Sequence, residues 1–351
     1  MAKNIDIATF VVHVAYPFSK LHIPVFDTSE DYLQKAIRFS AKNKVFPLFY
    51  KGCQNLNIRL PEEAEKRYNE YEKRSKAQKE TVKYLLGGCD RANIDVLFIK
   101  TFKPFKYIPD DIDVLLRRPS DLACFRKLLE ERGFSLLKVG TPEVTMRKLY
   151  PGTFVDVDVH TSMSIGHVVL FDVEDVWRRS IYTTVEDGLE VPMLPDHFEI
   201  VRESAYSLLK DFKITIPALY SAEHAFLNNE IPDIWKVAED EHFGFDTYLF
   251  LSTAHKLARI FLEENHKFGL DSPKEKFTKL ALNLIELDLN KQQRAPYSYP
   301  ALVIALAYFV RTLTKIRTEQ SLEPLAQLLK QPSSKGIDIL IEYARNWPSV
   351  F

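Results

Sequence analysis

Two short segments of the chain carry carboxylates in the same alternating pattern. Asp111 and Asp113 lie in the segment DIDVLL, and Asp156, Asp158 and His160 lie in the later segment VDVDVH. Side chains on a strand alternate between faces, so the acids of each segment point one way and the apolar residues the other. A single pair of this kind arises by chance, but aspartate is a poor strand former. Its repetition on two apolar segments predicts a metal site.

The chemistry of such a site follows from its oxygen donors. Carboxylates two residues apart on a strand repel each other unless they share a cation. The hard ions Mg²⁺ and Mn²⁺ prefer carboxylate oxygens to thiolate or imidazole, so Mg²⁺ (or Mn²⁺) is the expected cofactor. Phosphoryl and nucleotidyl transfer depend on such cations to hold the attacking and leaving oxygens in line. The acids therefore indicate this class of reaction.

Short strands must hold these acids in place. Apolar alternation predicts strands at residues 94–100, 112–116, 135–139, 144–149 and 154–160. Residues 181–184 and 189–193 flank Asp187-Gly188, which is a strong hairpin-turn signal. A helix opening after Pro119 and ending at Gly133 lies between the first strands.

Helical segments flank this stretch on both sides. The apolar run at residues 5–16 predicts a strand at the start, and two helices are expected to follow. The second begins at Pro61, where proline suits the first turn, and is expected to stop at Gly87-Gly88. After Pro195 helical spacing dominates, at residues 218–228, 246–264, 274–289, 300–316 and 322–329.

The expected fold class is therefore α+β: a small mixed sheet with helices, flanked by N-terminal helices and a C-terminal all-helical region. Three domains are expected. Residues 1–90 form an N-terminal helical segment packing on the core, residues 91–195 the core, and residues 196–351 a C-terminal helical domain.

Composition excludes several classes of protein. With 47 Lys+Arg against 48 Asp+Glu, the chain is not a basic protein that coats nucleic acid, although a local basic patch stays open. Three widely spaced cysteines make a disulfide framework or a cysteine zinc site unlikely and favour a reducing compartment. Neither a signal peptide nor a membrane-length apolar run is found, so a cytoplasmic protein without a membrane partner is expected. Apart from His160, the histidines form no ligand-spaced set.

Residues 98–101, followed nine residues later by Asp111-Ile112-Asp113-Val114, resemble the signature of the DNA polymerase beta-like nucleotidyltransferase superfamily. The closer similarity is to its uncharacterised nucleotidyltransferase family, whose members carry Lys-Gly after the first strand, then D-I-D-L-L, then V-D-L-H. The resemblance covers about residues 28–225. It implies that residues 91–195 are a nucleotidyltransferase core that uses an NTP as substrate.

The resemblance also implies roles for single residues. Asp111 and Asp113 would hold the nucleotide-bound metal, and Asp158 would complete a second metal site and act as the base. Asp156 is the alternative third acid. His160 is expected to orient Asp158 by a hydrogen bond, while a proton shuttle or an acceptor contact stays open.

One departure from the family concerns the turn after the first strand. Thr101 stands where the family has a small residue, and no glycine occurs between Asp95 and Asp110. A residue with a Cβ does not take positive φ cheaply, so either the turn is built differently or nucleotide binding is weakened. The candidate nucleotide ligands are Lys100, Thr101, Lys103 and Lys106, although any single lysine here could equally be a solvated loop residue.

The expected function is metal-dependent transfer of an NMP from an NTP to a hydroxyl acceptor on RNA, protein or a small molecule. The acceptor and the oligomeric state stay open. The alternative is a catalytically silent relative that binds nucleotide or a partner as a regulator or scaffold, and Thr101 is the best argument for it.

Overall fold

The chain is described by a computed structural model that covers residues 6–18, 29–140, 143–165, 168–185, 188–263, 276–291 and 294–319. It confirms the α+β class, because a seven-stranded mixed sheet lies between helical segments at both ends of the described chain. The helix predicted at residues 322–329 lies outside the described residues. The division into three domains stays a prediction.

Eleven strands occur among the described residues. They are β1 (Val96–Phe98), β2 (Asp111–Leu116), β3 (Ser135–Val139), β4 (Glu143–Tyr150), β5 (Thr153–His160), β6 (Met163–Ile165), β7 (Val168–Phe171), β8 (Ile181–Val185), β9 (Leu189–Met193), β10 (Lys213–Ile214) and β11 (Tyr297–Ser298). Seven of them form one sheet in the order β3-β4-β5-β2-β1-β9-β8. Within it, β2 is parallel to β5 and β1 is parallel to β9, while the other neighbours are antiparallel. The strands predicted on either side of Gly188 form the expected antiparallel pair β8–β9.

Helices make up most of the rest of the described chain. They are α1 (Ile7–Val14), α2 (Glu30–Lys42), α3 (Phe46–Asn55), α4 (Glu62–Ala92), α5 (Leu122–Glu131), α6 (Val173–Arg178), α7 (Asp196–Leu209), α8 (Ile216–Leu227), α9 (Ile231–Asp240), α10 (Gly244–Phe261), α11 (Lys276–Lys291) and α12 (Ala301–Glu319). Among the described residues, no helix is both long and apolar enough to cross a bilayer.

The seven-stranded sheet separates two apolar cores. On one face, Val114 and Val157 pack with apolar residues of α4 and α5. On the other, Leu97 and Leu115 belong to a larger core that joins α1–α3 to the helices after β9. Because Asp113 alternates with Val114, the acidic side chains of β2 point toward the larger, helical side. The fold thus places the acids between the sheet and the C-terminal helices.

The strand predicted at residues 5–16 is wrong, because this segment forms the helix α1. Asp6 caps the helix: its Oδ1 accepts hydrogen bonds from the backbone N–H of Ala8 at 2.8 Å and of Thr9 at 3.0 Å. A short apolar run fits a buried strand and a buried helix equally well by periodicity. Burial of most of α1 removes the polar face that would have distinguished them. The helix α3 is also additional to the two that were predicted.

The predicted stop of the second helix at Gly87-Gly88 is wrong as well, since α4 continues to Ala92. A Cβ on Gly88 would lie 2.7 Å from Leu128 Cδ1, so this glycine allows α4 to approach α5 closely. The left-handed residue that ends the helix is Asn93, with φ 53°. Gly88 therefore serves helix packing, and neither glycine ends the helix.

A second glycine, Gly52 of α3, allows an even closer approach to α1. A Cβ there would lie 1.9 Å from the backbone oxygen of Val14, which cannot move without moving α1. Gly52→Ala is therefore expected to lower the free energy of unfolding by about 3 kcal/mol or more. Urea denaturation followed by circular dichroism measures this change.

Gly87→Ala is the matched control, because the nearest atom to a Cβ at Gly87 is Arg91 Nη1 at an ordinary 3.5 Å. Alanine favours a helix over glycine, so this variant is expected to gain up to about 1 kcal/mol. Equal stabilities of the two variants would contradict the close contact between α1 and α3.

Candidate metal centre

The parallel pairing of β2 with β5 builds the candidate site. Its register places Asp111 beside Asp156, Asp113 beside Asp158 and Leu115 beside His160. Paired positions on neighbouring strands present their side chains to the same face of the sheet. All four aspartates and His160 therefore share one face, as the alternation in the two segments predicts.

Asp113 lies at the centre of this face and is almost completely buried, with 6% of its surface exposed. Its Oδ1 accepts a hydrogen bond from the Lys100 ammonium at 2.7 Å and lies 2.8 Å from Nε2 of His160. His160 therefore orients Asp113, and not Asp158 as the sequence analysis expects. Lys100, in the turn after β1, and His160, on β5, thus contact the same carboxylate oxygen.

Asp113 and Lys100 both stay ionised although they are largely shielded from solvent. Burial alone would raise the pKa of Asp113, but the positive charge of Lys100 and the hydrogen bond from His160 outweigh it and hold the pKa below its usual range. Burial alone would likewise lower the pKa of Lys100, yet the nearby Asp113 raises it above its ordinary value. Asp113 is thus a carboxylate, and Lys100 an ammonium, at neutral pH.

Asp111 and Asp158 lie beside this pair with too little positive charge to balance them. Burial, together with repulsion from Asp113 and Asp158, raises the pKa of Asp111 to about 7. The pKa of Asp158 is also raised, through burial and repulsion from Asp113 and Glu143, against a hydrogen bond from Thr145. Moreover, Oδ1 of Asp158 is buried without a hydrogen-bond partner. The site therefore has both an excess of negative charge and an oxygen atom free to bind a ligand.

The carboxylates of Asp113 and Asp158 are close enough to share one cation, and His160 lies beside them. Among the described residues, one ligand atom each of Asp113, Asp158 and His160 lie within 4.8 Å of one another. Asp111 is on the same face at the start of β2 but is not part of this set. A carboxylate pair with an unpartnered buried oxygen suits a hard divalent cation. These residues fit the cation that the sequence analysis expects.

The turn after β1 is built differently from a glycine turn. The left-handed residue is Lys100, with φ 58°, and not Thr101. Thr101 is buried, and its hydroxyl accepts a hydrogen bond from the backbone N–H of Asp113 at 3.0 Å. This hydroxyl therefore ties the turn to β2. The left-handed conformation directs Lys100 toward Asp113 instead of into solvent.

Other predicted site residues have protein partners. Lys103 forms an ion pair with Glu203 at 2.7 Å, and Lys106 pairs with Glu72 at 2.9 Å. Asp156 is bound by Arg147 through two hydrogen bonds of 2.6 Å. Since the guanidinium occupies both carboxylate oxygens, Asp156 is less suited than Asp158 to be the third acid.

Thr101, Lys103 and Lys106 nevertheless line one cavity, of about 420 Å³. Its walls are formed by α4, by the loop at residues 101–109 and by β8 and β9. Lys79 and Lys83 of α4 contribute further positive charge, and Phe102 contributes an aromatic ring. A cavity of this size accommodates a small organic ligand, and its lysines favour an anionic one.

Sequence reasoning missed the contribution of α7, which lies over Lys100. The Lys100 ammonium is 5.0 Å from the centre of the Tyr206 ring. The backbone N–H of Lys100 points to Glu199 Oε1 at 3.4 Å. Glu199 in turn forms a 2.6 Å ion pair with the buried Arg202. Glutamate, arginine and tyrosine at successive turns along one side of α7 are the signal that could have indicated this role.

Asp111 and Asp113 are expected to respond in opposite ways to neutralisation. Because the pKa of folded Asp111 is about 7, its ionisation above pH 4 costs the folded state free energy. Asp111→Asn should therefore stabilise the protein, and by about 1–3 kcal/mol more at pH 8 than at pH 5. Asp113→Asn should destabilise it by about 3–5 kcal/mol, because Lys100 is left as an unpaired buried charge.

Urea denaturation of both variants at the two pH values measures these differences. Asp156→Asn is the control on the neighbouring strand, because its carboxylate is already bonded to Arg147. A gain from Asp111→Asn that is the same at both pH values would contradict the charge excess at the site.

Comparisons with known proteins do not place the chain in a family. No protein-family model matches it, and no curated protein matches it. The resemblance to nucleotidyltransferases therefore stays a prediction from the segments around Asp111 and Asp158. What the structure adds is the geometry of those side chains, their charge excess and their position beneath α7.

Proposed function

We propose that the chain is a divalent-cation-dependent nucleotidyltransferase that moves a nucleoside monophosphate from an NTP to a hydroxyl acceptor. One observation carries the proposal: the register of β2 and β5 sets Asp111, Asp113 and Asp158 on one buried face whose negative charge Lys100 only partly balances. Carboxylates on adjacent strands are the rigid arrangement that metal-assisted transfer to a hydroxyl requires.

The residues that would hold Mg²⁺ or Mn²⁺ are Asp113 and Asp158, with Asp111 beside them. When bound, the cation would neutralise these carboxylates and stabilise negative charge on the transferred phosphoryl group. His160 fixes the orientation of the Asp113 carboxylate through its 2.8 Å contact. Oδ1 of Asp158 is the buried atom that lacks a partner and would gain one.

The proton of the acceptor hydroxyl needs a base whose pKa lies near neutrality. Asp158, the base expected from the resemblance, has a raised pKa, and the pKa of Asp111 is raised to about 7. Both groups are thus adjusted toward proton transfer at neutral pH, whereas Asp113 stays ionised beside Lys100. This division assigns proton transfer to Asp158 or Asp111 and charge binding to Asp113.

Positive charge for the triphosphate would come from the turn after β1 and from the cavity lined by the loop that follows it. Lys100 carries a stable ammonium at the edge of the acidic face. The cavity lined by Lys79, Lys83 and Phe102 is the candidate position for the remainder of the nucleotide. The acceptor stays open between RNA, protein and a small molecule, and the near-neutral net charge of −1 gives RNA no general advantage.

A second candidate function follows from the same ion pair. Lys100 binds the oxygen of Asp113 that a cation would otherwise bind, and the side chains of Asp113 and Lys100 are only 9% and 20% exposed. In a catalytically silent protein this ammonium would replace the metal permanently. The chain would then act as a nucleotide-binding regulator or scaffold.

The enzyme proposal predicts that Asp111→Asn and Asp158→Asn each lower transfer of label from α-labelled NTP to an acceptor by roughly 10²–10³-fold. Both are safe substitutions for folding, because the pKa of each carboxyl is already raised by its surroundings. The measurement incubates the protein with each labelled NTP, Mg²⁺ and a cell extract, and then separates RNA, protein and small molecules.

Asp156→Asn is the matched control, since it removes a carboxylate from the same strand that is engaged with Arg147. It should retain label transfer. Loss of transfer in Asp156→Asn but not in Asp158→Asn would show that the third acid is wrongly chosen. Equal transfer by all variants and the wild type would contradict the proposed active site.

The two candidate functions differ in how nucleotide binding depends on metal. If the site is catalytic, calorimetric affinity for ATP should fall by about tenfold or more when EDTA replaces Mg²⁺, because the carboxylates then repel the triphosphate. If Lys100 replaces the metal permanently, affinity should be the same in both buffers and no label should be transferred. Absence of ATP binding in both buffers would contradict both functions.

A further inference from the structure

A second group of metal-ligating side chains lies outside the acidic face of the sheet. Asp196 begins α7, His224 lies in the last turn of α8, and Glu230 directly precedes α9. One ligand atom of each lies within 4.8 Å of the others. The spacing of the histidines along the sequence does not reveal this group, because it forms only where three separate helix ends meet.

The group surrounds a very small cavity. Its volume is about 20 Å³, which is room for one water molecule or one ion. Phe102 and Pro104 close it on the side of the loop after β1. Oε2 of Glu230 is buried there without a hydrogen-bond partner. A buried carboxylate oxygen with no donor is costly, so this atom indicates a missing ligand.

Charge at this cavity is not balanced by the protein. Burial raises the pKa of Glu230, and repulsion from Asp196 raises it further. Burial likewise raises the pKa of Asp196. Lys103, the ammonium beside the cavity, is held by Glu203 at 2.7 Å and by Ser221 Oγ at 3.2 Å. The two carboxylates therefore lack a positive partner of their own.

His224 provides the nitrogen donor. A neutral imidazole has a lone pair available to a metal ion. The amide nitrogen of Asn228, the residue that caps α8, lies 2.9 Å from Nε2 and 3.3 Å from Nδ1 of His224 and so restrains the ring.

We propose that Asp196, His224 and Glu230 bind one transition-metal dication of the zinc class. One imidazole nitrogen with two carboxylate oxygens suits Zn²⁺, whereas Mg²⁺ disfavours imidazole. Three protein ligands leave one coordination position open to water. Because the ligands come from α7, α8 and α9, the ion would join the ends of three helices that also cover the sheet. This inference does not depend on the proposed nucleotidyl transfer.

The test measures Zn²⁺ equivalents in the full chain after chelator treatment, reloading and removal of free metal. The wild type is expected to hold one equivalent that His224→Gln loses. His197→Gln is the matched control: it removes the neighbouring histidine, which is not in the cluster, and should keep the ion. Glu230→Gln provides a second variant with almost unchanged side-chain shape, and it should also lose the equivalent.

Asp158→Asn distinguishes this site from the acidic face of the sheet. Asp158→Asn should keep the one equivalent of Zn²⁺ that His224→Gln loses, whatever its effect on label transfer. If Asp158→Asn loses the Zn²⁺ and His224→Gln keeps it, the ion belongs to the acidic face and the inference is overturned. Equal Zn²⁺ content in His224→Gln, Glu230→Gln and His197→Gln would overturn it as well. After reloading with Mg²⁺ in place of Zn²⁺, the amount of bound Mg²⁺ should not differ between the wild type and His224→Gln.

Discussion

The ion pair between Lys100 and Asp113 is the interaction on which the candidate site depends. Its 2.7 Å contact is buried beneath α7, where the loss of hydration for two charges is costly unless both are fully bonded. Asp113 meets this condition through His160, and Lys100 through the face of Tyr206. One positive charge is thus fixed next to three carboxylates, and the remaining negative charge appears as the raised pKa values of Asp111 and Asp158. A protein that only required a stable core would gain more from apolar residues here.

Parallel pairing explains why this charge excess exists at all. In the register of β2 and β5, Asp113 lies directly beside Asp158, so two acids are held side by side by backbone hydrogen bonds rather than by flexible side chains. Asp156 lies on the same face but has Arg147 across the neighbouring strand pair. Whether an aspartate of β5 is neutralised therefore depends on the residue opposite it on β4. It separates a structural carboxylate from a candidate metal ligand without any difference in the local sequence pattern.

Alternation along single strands was enough to predict the α+β class, the shared face of the acids and most strands of the sheet. It failed where the outcome depends on packing between distant elements. The segment forming α1 is apolar on nearly all sides because other helices surround it, and Gly88 fits a helix because Leu128 lies against it. Partners far apart in the chain, such as Lys103 with Glu203, leave no trace in spacing. The Asp196, His224 and Glu230 group is hidden for the same reason, since its ligands meet only after α7, α8 and α9 pack.

The turn after β1 connects the two groups of acids. Lys100 neutralises Asp113 on the sheet, and Lys103, three residues later, neutralises Glu203 beside the second cavity. Both lysines lie against α7, which also provides Asp196 to that cavity. If a cation at Asp113 displaced the Lys100 ammonium, the left-handed turn that directs it would lose its main reason to persist, because positive φ is costly for a residue with a Cβ. A change in the backbone conformation of this turn would also move Lys103 and the neighbouring residues 102–104, which line the second cavity. The two groups therefore differ in their side chains but lie against the same loop.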